Sequence, residues 1–197
     1  MNLNLVDPIS GSSEPAERKI PANIFLTGFM GAGKTSVGKQ LATKLGIDFY
    51  DTDDIITRAA GMSISKMFST RGEPFFRRAE SELLKMLGGK SPGSCIISTG
   101  GGAVLKKENR AAMRKNGIII FLQVTPQEIA RRISGDKGRP PRPLLMTADP
   151  MKSIEDLLEK RRQFYNEADL VIESSELTID ETVNRIIKTM AGWDHEK

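Results

Sequence analysis

The chain has 197 residues, of which 39% are hydrophobic and 27% are charged, a balance that is typical of one globular domain with a full core. Its 29 basic and 25 acidic residues give a formal net charge of +4, which is small for a dedicated nucleic-acid-binding protein. A single cysteine excludes an intrachain disulfide, and a single histidine argues against a histidine-based triad or zinc site.

The two ends of the chain are polar. Residues 1–22 combine Ser, Pro, Gly and charged residues without a secretory signal pattern, so we expect a flexible leader. We expect the folded domain to cover residues 23–190 and a polar tail to cover residues 191–197. No run of about 18 apolar residues predicts a membrane span. The single Cys95 suits a reducing compartment, and we therefore expect a cytoplasmic protein.

Short apolar runs alternate along the chain with segments of helical period. These runs predict strands at residues 24–26, 49–50, 95–98, 118–124 and 170–172. Helices are predicted at residues 34–45, 54–60, 62–68, 74–87, 126–133, 150–167 and 179–190. This alternation predicts an α/β fold in three layers, with a five-stranded parallel sheet covered on both faces. The Pro- and Gly-rich segment 134–147 breaks the pattern and is predicted to be a mobile lid.

A phosphate-binding loop follows the first predicted strand. The run Gly28-Phe29-Met30-Gly31-Ala32-Gly33-Lys34-Thr35 matches G-x-x-x-x-G-K-[ST] and leads directly into an amphipathic helix. Backbone N–H groups of such a loop, together with the helix N-terminus, attract phosphate oxygens. We therefore predict that Lys34 contacts the β- and γ-phosphates of ATP and that the Thr35 hydroxyl binds Mg²⁺. The predicted ATP contacts in this loop are Gly31, Ala32, Gly33, Lys34, Thr35 and Ser36.

Acidic residues follow the second predicted strand as Asp51-Thr52-Asp53-Asp54. They lie at the carboxyl edge of a parallel sheet, where ligands bind. Adjacent carboxylates disfavour joint ionisation, and a Mg²⁺ ion and an acceptor hydroxyl would give them separate partners. The alternative is an N-cap cluster for the next helix, an interpretation that suits Asp54 better than Asp51 or Asp53.

Two further segments bear on the phosphoryl acceptor. Arg77 with Glu80 three residues later is, by itself, typical of a solvated ion pair on a helix. The triple glycine Gly100-Gly101-Gly102 follows the third predicted strand. Glycines at this place permit close backbone approach to a ligand, whereas a plain turn needs fewer of them.

Taken together, four blocks resemble the shikimate kinase family in their order and approximate spacing: GFMGAGKTSVGKQLA, FYDTDDII, GEPFFRRAE and STGGGAV. Residues 142–145, RPLL, resemble that family's lid, and residues 160–165 resemble its later arginine-bearing helix. The resemblance covers about residues 23–187. It implies a P-loop NTPase fold with strand order 2-3-1-4-5. It also implies transfer of the ATP γ-phosphoryl group to the 3-hydroxyl of shikimate, within aromatic amino-acid biosynthesis.

The same resemblance implies roles for individual residues. Asp51 is similar to the acid near Mg²⁺, and Asp53 to the acid that binds the substrate hydroxyls and acts as the base. Arg77 and Arg161 resemble the clamps on the shikimate carboxylate, with Glu80 orienting Arg77. The other implied contacts are Phe76, Gly100, Gly101 and Gly102 on shikimate, Arg132 on adenine and Arg142 on the transferring phosphate. Lys34, Asp53 and Arg142 are thus the predicted catalytic residues.

Some alternatives stay open at this stage. Arg139 precedes a stiff Pro-Pro step and competes with Arg142 for the phosphate, although the RPLL block favours Arg142. A gluconate kinase, an inactive nucleotide-binding regulatory module and a nucleic-acid-binding ATPase are the rival functions. The Asp51–Asp53 pair, the triple glycine and the Arg77 block argue against the first, and the filled catalytic positions against the second. Against the nucleic-acid-binding ATPase, the sequence shows neither aromatic residues between the arginines nor a Walker-B-like strand. The expected partners are therefore ATP, Mg²⁺ and shikimate. We expect a monomer that binds neither nucleic acid nor membranes.

Overall fold

The computed structural model describes residues 23–90, 94–135, 145 and 147–192. One parallel sheet forms its centre, built from β1 (Asn23–Thr27), β2 (Asp48–Asp51), β3 (Cys95–Ser98), β4 (Ile118–Gln123) and β5 (Leu170–Glu173). The strand order is β2-β3-β1-β4-β5. This arrangement confirms the predicted topology, and it leaves the carboxyl ends of all five strands at one edge of the sheet.

Helices connect the strands and cover both faces of the sheet. Those in the described residues are α1 (Lys34–Leu45), α2 (Thr52–Ala60), α3 (Ile64–Arg71), α4 (Glu73–Lys90), α5 (Lys107–Asn116), α6 (Pro126–Gly135), α7 (Pro150–Tyr165) and α8 (Ile179–Ala191). A short 3₁₀ helix at Ala103–Leu105 precedes α5. Helix α5 was not predicted, because its sequence, KENRAAMRKN, has no periodic apolar residues. Its buried residues are Asn109 and Met113.

Two hydrophobic clusters sandwich the sheet, and consecutive residues of β1 alternate between them. Ile24 and Leu26 point to the first face, which α1 and α8 cover with Val37, Leu41, Val183 and Ile186. Phe25 points to the second face, which α4, α5 and α7 cover with Leu84, Met113 and Tyr165. A third cluster, the acceptor-side cluster, joins α2, α3 and α4 through Ile56, Met67, Phe76 and Leu83. It packs beside the sheet and carries the helices that approach the carboxyl edge of β2 and β3.

Parts of the predicted domain plan fall outside the described residues. They are the leader at residues 1–22, all of the predicted tail except residues 191 and 192, and most of the predicted lid. Ser134 and Gly135, with which the lid was predicted to begin, belong to α6. Leu145 is buried in the first sheet cluster. Within the described ranges, no helix has both the length and the apolar composition that crossing a bilayer requires.

Candidate active site

The phosphate-binding loop connects β1 to α1 at the carboxyl edge of the sheet. Gly28, Gly31 and Gly33 have φ angles of 144°, 82° and 91°, which side chains other than glycine rarely adopt. The Lys34 ammonium donates hydrogen bonds to the carbonyl oxygens of Gly28 at 2.8 Å and Phe29 at 2.9 Å. The loop therefore encloses a buried positive charge at the start of α1, as its sequence predicts for an anion-binding loop.

Thr35 and Asp51 meet where α1 and α2 begin. The Thr35 hydroxyl donates a hydrogen bond to Asp51 Oδ2 at 2.7 Å. The second oxygen, Asp51 Oδ1, accepts from the backbone N–H of Asp53 at 3.0 Å and of Asp54 at 3.4 Å. Asp51 is thus the N-cap of α2. The expectation that Asp54 would cap this helix was wrong, since Asp54 lies exposed in the first turn.

The donors at this position fit a magnesium ion that nucleotide phosphates also bind. Mg²⁺ prefers hard oxygen ligands and usually takes one or two protein carboxylates together with phosphate oxygens and water. Thr35 and Asp51 supply a hydroxyl and a carboxylate at hydrogen-bond distance. The described residues contain no group of three or more His, Cys, Asp or Glu side chains that could hold a metal alone. The chemistry of the pair therefore matches an ion that arrives with a nucleotide.

The triple glycine after β3 brings the acceptor-side residues together. The Gly100 N–H donates to Thr52 Oγ1 at 3.1 Å, which anchors the loop to the start of α2. A Cβ on Gly100 would lie 3.0 Å from Asp53 Oδ1 and would collide with Glu80 Oε1. The two carboxylates therefore approach the loop so closely that position 100 has no room for a side chain.

The next two glycines are crowded in the same way. A Cβ on Gly101 would lie 3.2 Å from the carbonyl oxygen of Gly28 in the phosphate-binding loop. A Cβ on Gly102 would collide with the guanidinium of Arg77. The triple glycine thus separates the phosphate-binding loop from the Arg77 helix by little more than one layer of backbone.

Arg77 is fixed by two carboxylates of its own helix. Its Nε and Nη2 donate to Glu73 Oε1 at 3.0 and 2.8 Å, and its Nη1 donates to Glu80 Oε2 at 2.9 Å. A guanidinium has five N–H donors, so one N–H on each terminal nitrogen has no hydrogen bond among the described residues. Lys106 donates to the Arg77 carbonyl at 3.1 Å. The contact with Glu80 agrees with the sequence analysis, which missed Glu73 and Lys106.

Arg161 approaches the triple glycine from α7. Its Nη1 donates to the Gly101 carbonyl at 3.1 Å, and its guanidinium lies 5.5 Å from the centre of the Phe29 ring. One helical turn later, the Tyr165 hydroxyl donates to the same carbonyl at 2.6 Å. The Tyr165 ring stacks on Phe121 with centroids 4.7 Å apart. Tyr165, which the sequence analysis did not single out, therefore holds the glycine loop and α7 together beside Arg161.

Two buried acceptor atoms face this loop. Among the described residues, Asp53 Oδ1 and Glu80 Oε1 have no hydrogen-bond partner. Burial raises the pKa of Asp53 to about 6, and the neighbouring Asp51 charge adds to this, while Lys34 and Arg77 oppose it. Burial also raises the pKa of Glu80 to about 7 against the opposing charge of Arg77. Both oxygens lie buried beside Gly100 with unused capacity to accept a hydrogen bond.

Arg132 and the remaining predicted residues lie in different surroundings. A cleft of about 640 Å³ lies between the phosphate-binding loop, α6 and the loop after β5, and both Ser36 and Arg132 line it. Phe76 is only 3% exposed and packs edge-on against Phe68 in the acceptor-side cluster. Its shikimate contact stays a prediction. Arg139 and Arg142 lie outside the described residues, so their competing assignments stay predictions as well.

Comparison with known proteins places this site in a family. The shikimate kinase family model matches residues 30–191. The shikimate kinase of Caldanaerobacter subterraneus subsp. tengcongensis is 46% identical over 84% of this chain and 94% of that protein. The one from Thermodesulfovibrio yellowstonii is 45% identical over 84% of this chain and 93% of that protein.

Solved structures agree with this match. A shikimate kinase from Acinetobacter baumannii, solved in complex with shikimate, superimposes with a TM-score of 0.81 at 34% identity, covering 88% of this chain and 94% of that one. A gluconokinase from Sinorhizobium meliloti reaches a TM-score of 0.57 at 18% identity, covering 89% of this chain and 94% of that one, and shares the fold alone. The chain belongs to the shikimate kinase family.

Proposed function

We propose that this chain is an ATP-dependent kinase that phosphorylates the 3-hydroxyl of shikimate, giving shikimate 3-phosphate and ADP. The observation that carries the proposal is the triple glycine, which contacts the phosphate-binding loop on one side and Asp53, Arg77 and Arg161 on the other. A phosphate cradle, a candidate base and two guanidinium groups thus converge on one glycine loop. Family membership supports shikimate as the acceptor.

The nucleotide side of the reaction uses the phosphate-binding loop. Phosphate oxygens of ATP replace the Gly28 and Phe29 carbonyls as acceptors for Lys34, and the backbone N–H groups of the loop bind the same phosphates. Thr35 and Asp51 hold a Mg²⁺ ion, which neutralises phosphate charge when bound. Arg132 and Ser36 contact the nucleotide in the adjoining cleft, where Arg132 lies against adenine.

The acceptor side binds a carboxylate and a hydroxyl. Arg77 has one N–H left on each terminal nitrogen, and a guanidinium can donate to both oxygens of a carboxylate. Arg161, on the neighbouring helix, adds a second guanidinium. The unpaired oxygen of Asp53 accepts a hydrogen bond from a hydroxyl on the same molecule, while Glu80 orients Arg77. Shikimate presents both kinds of group on one ring.

Asp53 acts as the base in the phosphoryl transfer. It takes the proton of the 3-hydroxyl while that oxygen forms a bond to the γ-phosphorus and the bond from phosphorus to the ADP oxygen breaks. A pKa of about 6 lies close to neutral pH, where a carboxylate is ionised yet retains affinity for a proton. Arg142, in the predicted lid, stabilises charge on the transferring group and helps to exclude water, which is itself an acceptor.

An assay that couples ADP release to a spectroscopic signal tests the proposal. ATP turnover is expected to depend on shikimate, and to stay at background with gluconate, with RNA or without an acceptor. Phosphorus NMR of the product should show a new phosphate monoester on the 3-oxygen. Turnover that depends on gluconate, or that needs no acceptor, would refute the assignment. The domain limits at residues 23–190, the cytoplasmic location and the monomeric state remain predictions from the sequence.

A further inference from the structure

Glu128, in the first turn of α6, contacts two consecutive arginines in different ways. Arg131 donates from Nε to Glu128 Oε2 at 2.6 Å and from Nη2 to Oε1 at 2.7 Å. Arg132 donates from Nε to Glu128 Oε1 at 2.6 Å. The Arg131 side chain is 75% exposed, whereas those of Arg132 and Glu128 are 24% and 15% exposed. The carboxylate thus faces inward with Arg132, while Arg131 covers it from the solvent side.

The rest of the Arg132 guanidinium joins two other parts of the nucleotide cleft. Its Nη1 donates to the Ala32 carbonyl in the phosphate-binding loop at 3.3 Å. Its Nη2 donates to the carbonyls of Ser174 at 3.0 Å and Ser175 at 3.4 Å, in the loop after β5. These three bonds go to neutral carbonyls at 3.0 to 3.4 Å, whereas the bond to Glu128 is shorter, at 2.6 Å, and charge-assisted. Of the contacts that set the plane of the guanidinium, the one to Glu128 is therefore the strongest.

We propose that Glu128 is a positioning residue for nucleotide binding, which acts by holding the Arg132 guanidinium flat against the wall of the 640 Å³ cleft. This inference rests on the proposed function, because it takes an adenine nucleotide as the occupant of the cleft. Without Glu128, only the three bonds to carbonyl oxygens keep Arg132 in place, and the guanidinium can rotate out of the wall. Hydrogen bonds from Arg131 hold the pKa of Glu128 at about 2, so the carboxylate stays ionised during the reaction.

The experiment compares Glu128→Ala, Glu128→Gln and wild type by steady-state kinetics and by calorimetry with ADP. Glu128→Ala is expected to raise KM for ATP and Kd for ADP about five- to tenfold, as the loss of one charge-assisted hydrogen bond implies. The KM for shikimate and the melting temperature should stay close to wild type. Glu128→Gln keeps one acceptor oxygen and should recover part of the ADP affinity.

Two matched variants separate positioning from general effects of charge. Arg162→Ala removes the arginine of an exposed ion pair on α7, away from the nucleotide cleft, and should leave ADP affinity unchanged. Glu159→Ala removes the other partner of that pair, three residues before Arg162, and should likewise have no effect. Both variants also measure how much an exposed ion pair by itself contributes to ADP affinity and to the melting temperature.

Three results would count against the proposal. Wild-type affinity for ADP in Glu128→Ala would overturn the positioning role. A lower melting temperature with equal loss of affinity for both substrates would show that Glu128 only supports the fold, and would overturn it too. If wild type itself binds no ADP, the proposed function fails and this inference fails with it.

Discussion

Replacing Asp53 by Asn is expected to stabilise the protein while abolishing phosphoryl transfer. Burial raises the pKa of this carboxyl from 3.8 to about 6, and each pKa unit corresponds to about 1.4 kcal/mol. Keeping the carboxylate ionised therefore costs the folded state about 3 kcal/mol at pH 8. Asn has nearly the same shape without the charge, so the variant should unfold with a free energy about 2–3 kcal/mol higher than wild type.

Because the pKa of Asp53 is raised in the folded state, the stability difference between Asp53→Asn and wild type depends on pH. Between about pH 4 and pH 6 the folded protein holds a proton on Asp53 that the unfolded chain has released. Wild-type stability therefore falls, through this group, as the pH rises across that window. The advantage of Asp53→Asn should be absent below about pH 4, grow through the window and be complete above it.

Urea unfolding of both proteins at pH 4, 5, 6 and 8, followed by circular dichroism, measures the difference. A gain of about 2–3 kcal/mol corresponds to about 4–12 °C in melting temperature for a chain of this length. Asp54→Asn is the matched control, because Asp54 is exposed in the same helical turn and should lose at most about 1 kcal/mol. The reasoning would be refuted if Asp53→Asn were no more stable than wild type at pH 8, or if its advantage were the same at pH 4.

Further outcomes follow from the same site. Lys34→Ala should reduce turnover by at least about 10²-fold without a change in fold, and wild-type turnover in a pure preparation would refute the P-loop assignment. Arg77→Lys and Arg161→Lys should each weaken shikimate binding in calorimetry about tenfold or more while ADP binding stays unchanged, because an ammonium cannot reproduce a two-pronged donor. Arg142→Ala should depress kcat by about 10²–10³ with little change in KM for shikimate. Arg139→Ala should be near normal, and the reverse ranking would move the phosphate contact to Arg139.

The local geometry of the phosphate-binding loop could be predicted from the sequence. The loop 28–35 is contiguous, so its order along the chain already determines its geometry, and the bounds of α1 were predicted without error. The expected strand order was also confirmed, although it came from the family resemblance. A contiguous motif can be predicted well because the residues that contact one another lie within a few positions in the sequence.

The acceptor half was harder to predict, because its contacts depend on how separate elements pack. Glu73 binds Arg77 from one turn away, while Lys106 reaches the Arg77 carbonyl from the loop before α5. Tyr165 donates to a carbonyl 64 residues away. The wrong choice of Asp54 as N-cap has a similar cause, since the cap depends on where the chain leaves β2. No periodicity or local spacing contains the information that places Lys106 or Tyr165. The contact of Glu73 could have been predicted, because it lies four residues before Arg77 on the same helix.

The acceptor-side cluster bears on how the specificity of such a kinase could change. Distant substitutions act almost independently on stability, so changes at Ile56 or Met67 can shift α2 and α3 with little effect on the packing around β1. Helix α4 is held in place by Leu84, which packs in the second sheet cluster. Asp51 constrains those shifts, since one of its oxygens caps α2 while the other accepts from Thr35. A combinatorial library that varies the cluster and retains Asp51 is therefore a rational route to kinases with new acceptors and unchanged use of ATP.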